Sequence, residues 1–161
     1  MEGEIISRLE LEDIPNPTTA QNPEVVNEKL LLENRDDTPP LEKLREFDPD
    51  TFEDLILEWV HGYLVQENKY LKVQQLGGSG DKGRDVIAWK SDPNSSEGNW
   101  DNYQCKHYQS RLQPNDVWTD LGKLCFYTWQ SDFSIPDNYY FVTPHGLGPK
   151  LTDLLSEPDQ L

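Results

Sequence analysis

An α/β chain with a mixed central sheet flanked by helices is what this sequence predicts, and three observations carry the prediction. Phe52, Leu55, Ile56, Trp59, Val60, Tyr63 and Leu64 recur at helical spacing. Three β-rich runs follow, separated by turn chemistry. A second helical stretch then leads into one further short apolar strand. Helix, strand, strand, strand, helix, strand, helix is the order of a meander followed by a helical crossover, so the last strand joins a mixed sheet with helices on both faces.

The first helix has clear start signals in Asp48-Pro49 and Thr51. At about 100° per residue, Glu53 falls inside its apolar stripe, while Asp54, Glu58 and His61 fall on the wet face. Gly62 loosens its exit. From Asn68 to Leu76 the period changes to that of a strand. Arg84–Trp89 reads as the second strand, Asp92–Asn99 as a loop and Trp100–Tyr108 as the third strand. Pro114–Gln130 carries Val117, Trp118, Leu121, Leu124, Cys125 and Tyr127–Trp129 as its apolar stripe. Asn138–Thr143 is a strand of the buried type, and Lys150–Leu155 forms the closing helix.

Residues 1–50 differ in character. They are acidic and punctuated by Pro15, Pro17, Pro23, Pro39, Pro40 and Pro49, and read as an arm solvated by its charge, with one short helix from Pro23 to about Leu32. Residues 51–161 read as the folded domain, the N-terminal part of a longer protein. No run reaches the length of a membrane span, and Met1-Glu2-Gly3-Glu4 lacks a signal peptide's basic and apolar order. Two cysteines, Cys105 and Cys125, make no disulfide framework, which points to a reducing cytoplasm.

A net charge of −16 argues against nucleic acid as a partner. Its uneven distribution weakens that objection: Lys69–Lys123 holds eight Lys and Arg against seven Asp and Glu, a net of +1, and the remainder carries −17. The acid therefore lies outside the region with the chemically informative residues. DNA binding by this chain alone is expected to be weak, with basic surface supplied by a partner or a further domain.

That region runs from Gly77 to Tyr108. A glycine-rich turn, Gly77–Gly83, precedes Asp85, and Gln104-Cys105-Lys106 lies on the adjoining strand with Gln104 and Lys106 on one face. Phosphodiester hydrolysis needs an activated water and neutralisation of charge on the phosphoryl oxygens. Mg²⁺ serves both with oxygen ligands, and a nearby lysine stabilises developing negative charge. Asp85, Glu53, Gln104, Lys106 and the Cys105 carbonyl supply such groups.

Phe52-Glu53 opening a helix, the Gly-Asp-x-Gly-x-Asp turn at Gly80–Asp85, and Gln104-x-Lys106 with an aromatic two residues on resemble the Mrr-type branch of the PD-(D/E)XK nucleases. The similarity extends from about Phe52 to Val142. It is closest to N-terminal nuclease domains of bacterial anti-phage effectors, such as those of CBASS, Lamassu and ABC-three-component systems. The resemblance implies a restriction-endonuclease-like sheet, double-stranded DNA as substrate, and Mg²⁺ or Mn²⁺. Asp85 is then the main metal ligand, Glu53 the helix carboxylate completing the site, Gln104 a ligand or water-positioning group, and Lys106 the catalytic lysine. It also implies partner subunits of a defence complex and oligomerisation on activation.

Other readings of the same residues are weaker. Gly78–Gly83 matches G-x-G-x-x-G, but a strand rather than a helix follows it, so a dinucleotide site lacks its helix N-terminus. Val86–Lys90 has no kinase catalytic-loop signature after it. Cys105 and His107 share a strand face without a second spaced pair, which favours packing over zinc. Asp81 reads as a loop-shaping residue, Lys82, Arg84, Gln109 and Arg111 as solvated polar groups within reach of phosphate, and His145 as a turn member. The non-enzymatic alternative is a nuclease-like scaffold with a silent site, to which the acidity of the chain lends support.

Overall fold

The computed structural model describes residues 38–65, 69–76, 80–93 and 98–156. The expected helix at Pro23–Leu32, the start of the glycine turn at Gly77–Ser79, and the centre of the Asp92–Asn99 loop lie outside them.

Four strands form one sheet in the order β1-β2-β3-β4: β1 Lys72–Gln75, β2 Val86–Trp89, β3 Trp100–Cys105 and β4 Asn138–Val142. The first three pair antiparallel and β4 joins β3 in parallel. That is the expected mixed sheet. The long return from β3 to β4 runs through helix α3, Pro114–Trp129, since parallel neighbours cannot be joined by a tight turn.

Helix α2, Pro49–Trp59, starts as its sequence dictates. Pro49 occupies the first turn, where its missing N–H is harmless, and Asp48 accepts hydrogen bonds from the Thr51 backbone N–H at 2.9 Å and the Thr51 hydroxyl at 2.6 Å. The helix continues as a π-helical turn over Val60–Leu64, in which the Val65 N–H bonds to the Val60 carbonyl at 3.2 Å. Gly62 lies in this widened turn. Helix α1, Pro40–Glu46, falls inside the segment read as an arm, yet it is tied to the domain: Arg45 Nε donates to the Pro144 carbonyl at 3.2 Å, and His107 Nε2 lies 2.8 Å from the Leu44 carbonyl. Helix α4, Pro149–Ser156, closes the described chain.

Strand alternation divides the core in two. Val73, Val86, Ala88, Tyr103 and Cys105 face α2, where Phe52, Ile56, Val60 and Leu64 cover them. Leu76, Ile87, Trp89 and Trp100 face the other way, against Phe133 and the half-buried Leu124 and Tyr127. The α3 stripe is narrower than expected. Val117 and Asp120 are buried, whereas Trp118, Cys125, Phe126 and Trp129 are exposed. The physical reason is the register of α3 on the sheet: it presents the Val117–Asp120–Leu124–Tyr127 line, so Trp118, Cys125 and Trp129 of the expected stripe sit on its outer flank.

The turn before β2 is shaped as its residues suggest. Asp81 Oδ1 accepts the Gly83 N–H at 2.9 Å, and Lys82 and Gly83 take φ of 55° and 83°. A Cβ on Gly83 would lie 3.3 Å from Lys123 Cβ and 3.4 Å from the Asp120 carbonyl, so glycine meets both a conformational and a spatial demand. Gly83→Ala is expected to destabilise the fold by about 1–3 kcal/mol, measured as a lower midpoint in urea unfolding; an unchanged midpoint would contradict this origin of the turn's glycine.

Candidate active site

Asp85 stands one residue before β2 with its backbone still in the sheet, its carbonyl accepting the Leu76 N–H at 2.7 Å. The last registered pair between β2 and β3 is Val86 with Tyr103. Two residues past it, the Cys105 N–H donates to Asp85 Oδ2 at 2.7 Å, so a carboxylate carries on where the backbone ladder stops. The same oxygen accepts the Gln104 amide Nε2 at 2.8 Å. Oδ1 has no hydrogen bond among the described residues.

Gln104 is held from its other end. Its Oε1 lies 3.0 Å from the Tyr139 hydroxyl, which is also 2.7 Å from the Gly83 carbonyl. Tyr139 on β4 therefore links the glycine turn to the site, a role no spacing in the chain announced. Because the amide nitrogen faces Asp85, Gln104 in this arrangement orients the carboxylate and its oxygen is directed to Tyr139.

Glu53 comes from the second turn of α2, half-buried among the residues of its stripe. Burial, and next the charge of Asp85, push its carboxyl from 4.5 to about 7, while a hydrogen bond with the Gln75 side chain opposes the rise. Burial likewise raises Asp85 to about 6, with Asp81 adding to it and the Cys105 N–H, Lys106 and Gln104 opposing it. The thiol of Cys105, buried in the α2-side core, is pushed up by burial and then by Asp85 and Glu53, with Lys106 acting against them. One buried thiol thus senses three of the four predicted site residues. That thiol stands at the end of the sheet where β2 begins and β3 ends.

Lys106 shares its face of β3 with Gln104, turned away from Cys105 and α2, but there its Nζ lies 2.5 Å from Asp120 Oδ2 on α3. Burial disfavours its charge, but the Asp120 hydrogen bond and charge outweigh that, and its ammonium is held above the usual lysine range with a smaller contribution from Asp85. Asp120 was hidden in the sequence by its place among apolar residues. An acid on the line Val117–Asp120–Leu124 is the same signal that singled out Glu53, a carboxylate inside a buried stripe.

Several expectations are corrected here. Arg84 is buried, with its guanidinium 3.9 Å over the Phe133 ring and its Nε donating to the Asp81 carbonyl at 3.1 Å. Lys82 pairs with Asp132 at 2.8 Å. Both are engaged within the fold, because the turn folds back onto the segment after α3. Asp54 and Glu58 are partly covered, with carboxyls raised chiefly by burial, Glu58 to about 7. His107 packs 5.1 Å from the Phe52 ring while Cys105 faces the core, in keeping with packing. Among the described residues no group of three or more His, Cys, Asp and Glu is placed to hold a metal ion. The donors here of the kind a hard divalent cation takes are two carboxylates, Asp85 and Glu53, both raised chiefly by burial. No helix among the described residues is long and apolar enough to cross a membrane.

The pKa shifts fix a pH dependence. Glu53 and Asp85 bind protons more tightly in the folded chain, so the folded state holds more protons than the unfolded one and stability falls as pH rises through the interval. For Glu53 that interval is from 4.5 to about 7. Glu53→Gln is expected to make the loss of stability across it shallower in metal-free urea titrations; parallel curves for the two proteins would contradict the assignment. Asp120→Asn is expected to lower the pKa of Lys106, followed by NMR at its Cε.

Residues 44–122 match the family model Mrr_cat, described as a restriction endonuclease. A solved structure of the restriction endonuclease FokI bound to DNA is similar at 15% identity and a TM-score of 0.43, covering 92% of this chain and 28% of that one. This chain thus spans little more than a quarter of that protein's length. No curated protein sequence matches it. Over residues 44–122, which carry Glu53, Asp85, Gln104, Lys106 and Asp120, the chain is similar to a restriction endonuclease domain.

Proposed function

We propose that this domain is a metal-dependent endonuclease that hydrolyses phosphodiester bonds of double-stranded DNA, with Mg²⁺ or Mn²⁺, as the effector domain of a bacterial anti-phage defence system. The observation that supports the reading is the buried carboxylate of Asp85, held by Gln104 and the Cys105 N–H, whose charge is felt at Glu53 and is opposed by Lys106. The family match over residues 44–122 supports the reaction class.

In this reading Asp85 and Glu53 hold the cation, with the Cys105 carbonyl as a further oxygen donor. A divalent cation there would supply charge neutralisation on the phosphate and a more acidic bound water. The chain's own residues do the rest. The Cys105 N–H and the Gln104 amide fix Asp85 in one orientation, leaving Oδ1 to face the site. Tyr139 holds Gln104 in turn. Lys106 provides positive charge where the phosphoryl oxygens gather negative charge, and Asp120 keeps that lysine protonated. DNA binding leans on partner subunits or further domains, because the domain's own charge is unfavourable, and oligomerisation on activation would bring a second site to the opposite strand.

A second reading is favoured by one observation. Lys106 is ion-paired with Asp120, and the Gln104 oxygen faces Tyr139, so two of the four residues are already engaged within the protein. A silent nuclease-like scaffold would show this arrangement too. Plasmid cleavage separates the two. The full-length protein under its activating condition is expected to nick or linearise plasmid with Mg²⁺ or Mn²⁺, and Asp85→Ala or Lys106→Ala to reduce the rate by at least about 100-fold. Cleavage unaffected by both substitutions would overturn the site assignment, and absence of cleavage in the activated wild-type protein would favour the scaffold.

A further inference from the structure

Along the sheet between Lys90 and Val142 lies a cavity of about 720 Å³ that the catalytic reading does not use. Asp85 precedes β2 and Lys90 follows it, so the cavity's Lys90 end is about 16 Å from Asp85 along the strand, while its other end is walled by Val142, the β4 partner of Cys105. The cavity opens on the α2 face, beside the π-helical turn that contributes Tyr63 and Leu64 to its wall. Its size falls in the range of small-molecule sites.

The walls are aromatic and incompletely covered. Trp59, Tyr63 and Tyr140 line it with 45%, 56% and 42% of their surfaces exposed. Tyr140 stacks on Tyr103 at 4.9 Å and Trp59 meets the same ring edge-on at 6.2 Å, so the rings are held in fixed planes with faces left over. The floor is polar and rigid. Asp101, 2% exposed, accepts from the Tyr70 hydroxyl at 2.7 Å and the Asn138 amide at 2.9 Å, and pairs with Lys90 at 2.6 Å. Lys69 stands on the rim. Lys90 is held between two carboxylates, Asp101 and, at 3.2 Å, Asp137, which leaves Lys69 as the lysine of the lining without a carboxylate partner among the described residues.

Fixed aromatic faces, a buried hydrogen-bonding floor and a lysine on the rim suit a flat ring with polar edges that carries an anionic group. We infer that this cavity binds a nucleotide, with the base against the exposed aromatic rings, its edge toward Asp101 and Asn138, and the phosphate toward Lys69. The chemistry is shared by a free mononucleotide and by an unpaired nucleotide within a strand. The inference stands apart from the nuclease reading, since it involves neither Asp85 nor a divalent cation.

Calorimetric titration of the metal-free protein with the nucleoside monophosphates, with ribose 5-phosphate and with a short single-stranded oligonucleotide tests it. At least one base-bearing ligand is expected to bind saturably, and ribose 5-phosphate is not. Tyr140→Ala and, separately, the more exposed Tyr63→Ala should each weaken binding by about five-fold or more, as loss of one stacking face does, in proteins whose circular dichroism is unchanged. Lys69→Glu should weaken a monophosphate more than its nucleoside. Mononucleotide binding identifies a free ligand, and binding of the oligonucleotide alone identifies a strand. No saturable binding of either, or binding insensitive to both tyrosine substitutions, would overturn the inference.

Discussion

The carboxylate of Asp85 closes the gap that opens where β2 and β3 part. By accepting the Cys105 N–H it takes the place of a ladder carbonyl, and by accepting the Gln104 amide it locks the next side chain on β3. A buried N–H left without a partner costs free energy, so this residue serves the sheet whether or not it serves chemistry. The strand end is thereby fixed against the Asp81–Arg84 turn on one side and against Tyr139 of β4 on the other. Lys106 follows Cys105 onto the face that Gln104 shares, where Asp120 of α3 meets it.

Electrostatics sets Asp85 apart from a carboxylate that only completes a ladder. An acid that only completed a ladder would be expected to gain from its donors and titrate low. Here burial and neighbouring acids win, and Asp85 and Glu53 both titrate well above the ordinary range. Two raised carboxyls whose charges repel one another are an arrangement that a divalent cation relieves and that a folded chain without one merely tolerates. The Lys106–Asp120 pair belongs to the same balance. It delivers a permanent positive charge to the site's edge while satisfying a buried acid on α3.

Much of this was legible in the chain. Period-two and β-rich runs located all four strands, and the helix-to-strand order implied the crossover that returns β4 to the sheet. Glu53 showed itself as an acid at a buried helical position, and Asp85, Gln104 and Lys106 through their placement around a glycine turn. What escaped depended on contacts between distant segments. Asp120 and Tyr139 look ordinary locally and gain their roles only when α3 and β4 pack beside β3. Arg84 reads as a surface cation until the turn folds it against Phe133. Hydrophobicity overstated the buried stripe of α3, because periodicity names a face and the neighbouring layer decides how wide a strip of it is covered.

Whether Asp85 and Glu53 share a divalent cation is tested most directly by anomalous diffraction from crystals soaked in Mn²⁺. A peak within coordination distance of both carboxylates is expected, and its loss in Asp85→Ala. A peak bound elsewhere, or none at saturating Mn²⁺, would contradict the shared site.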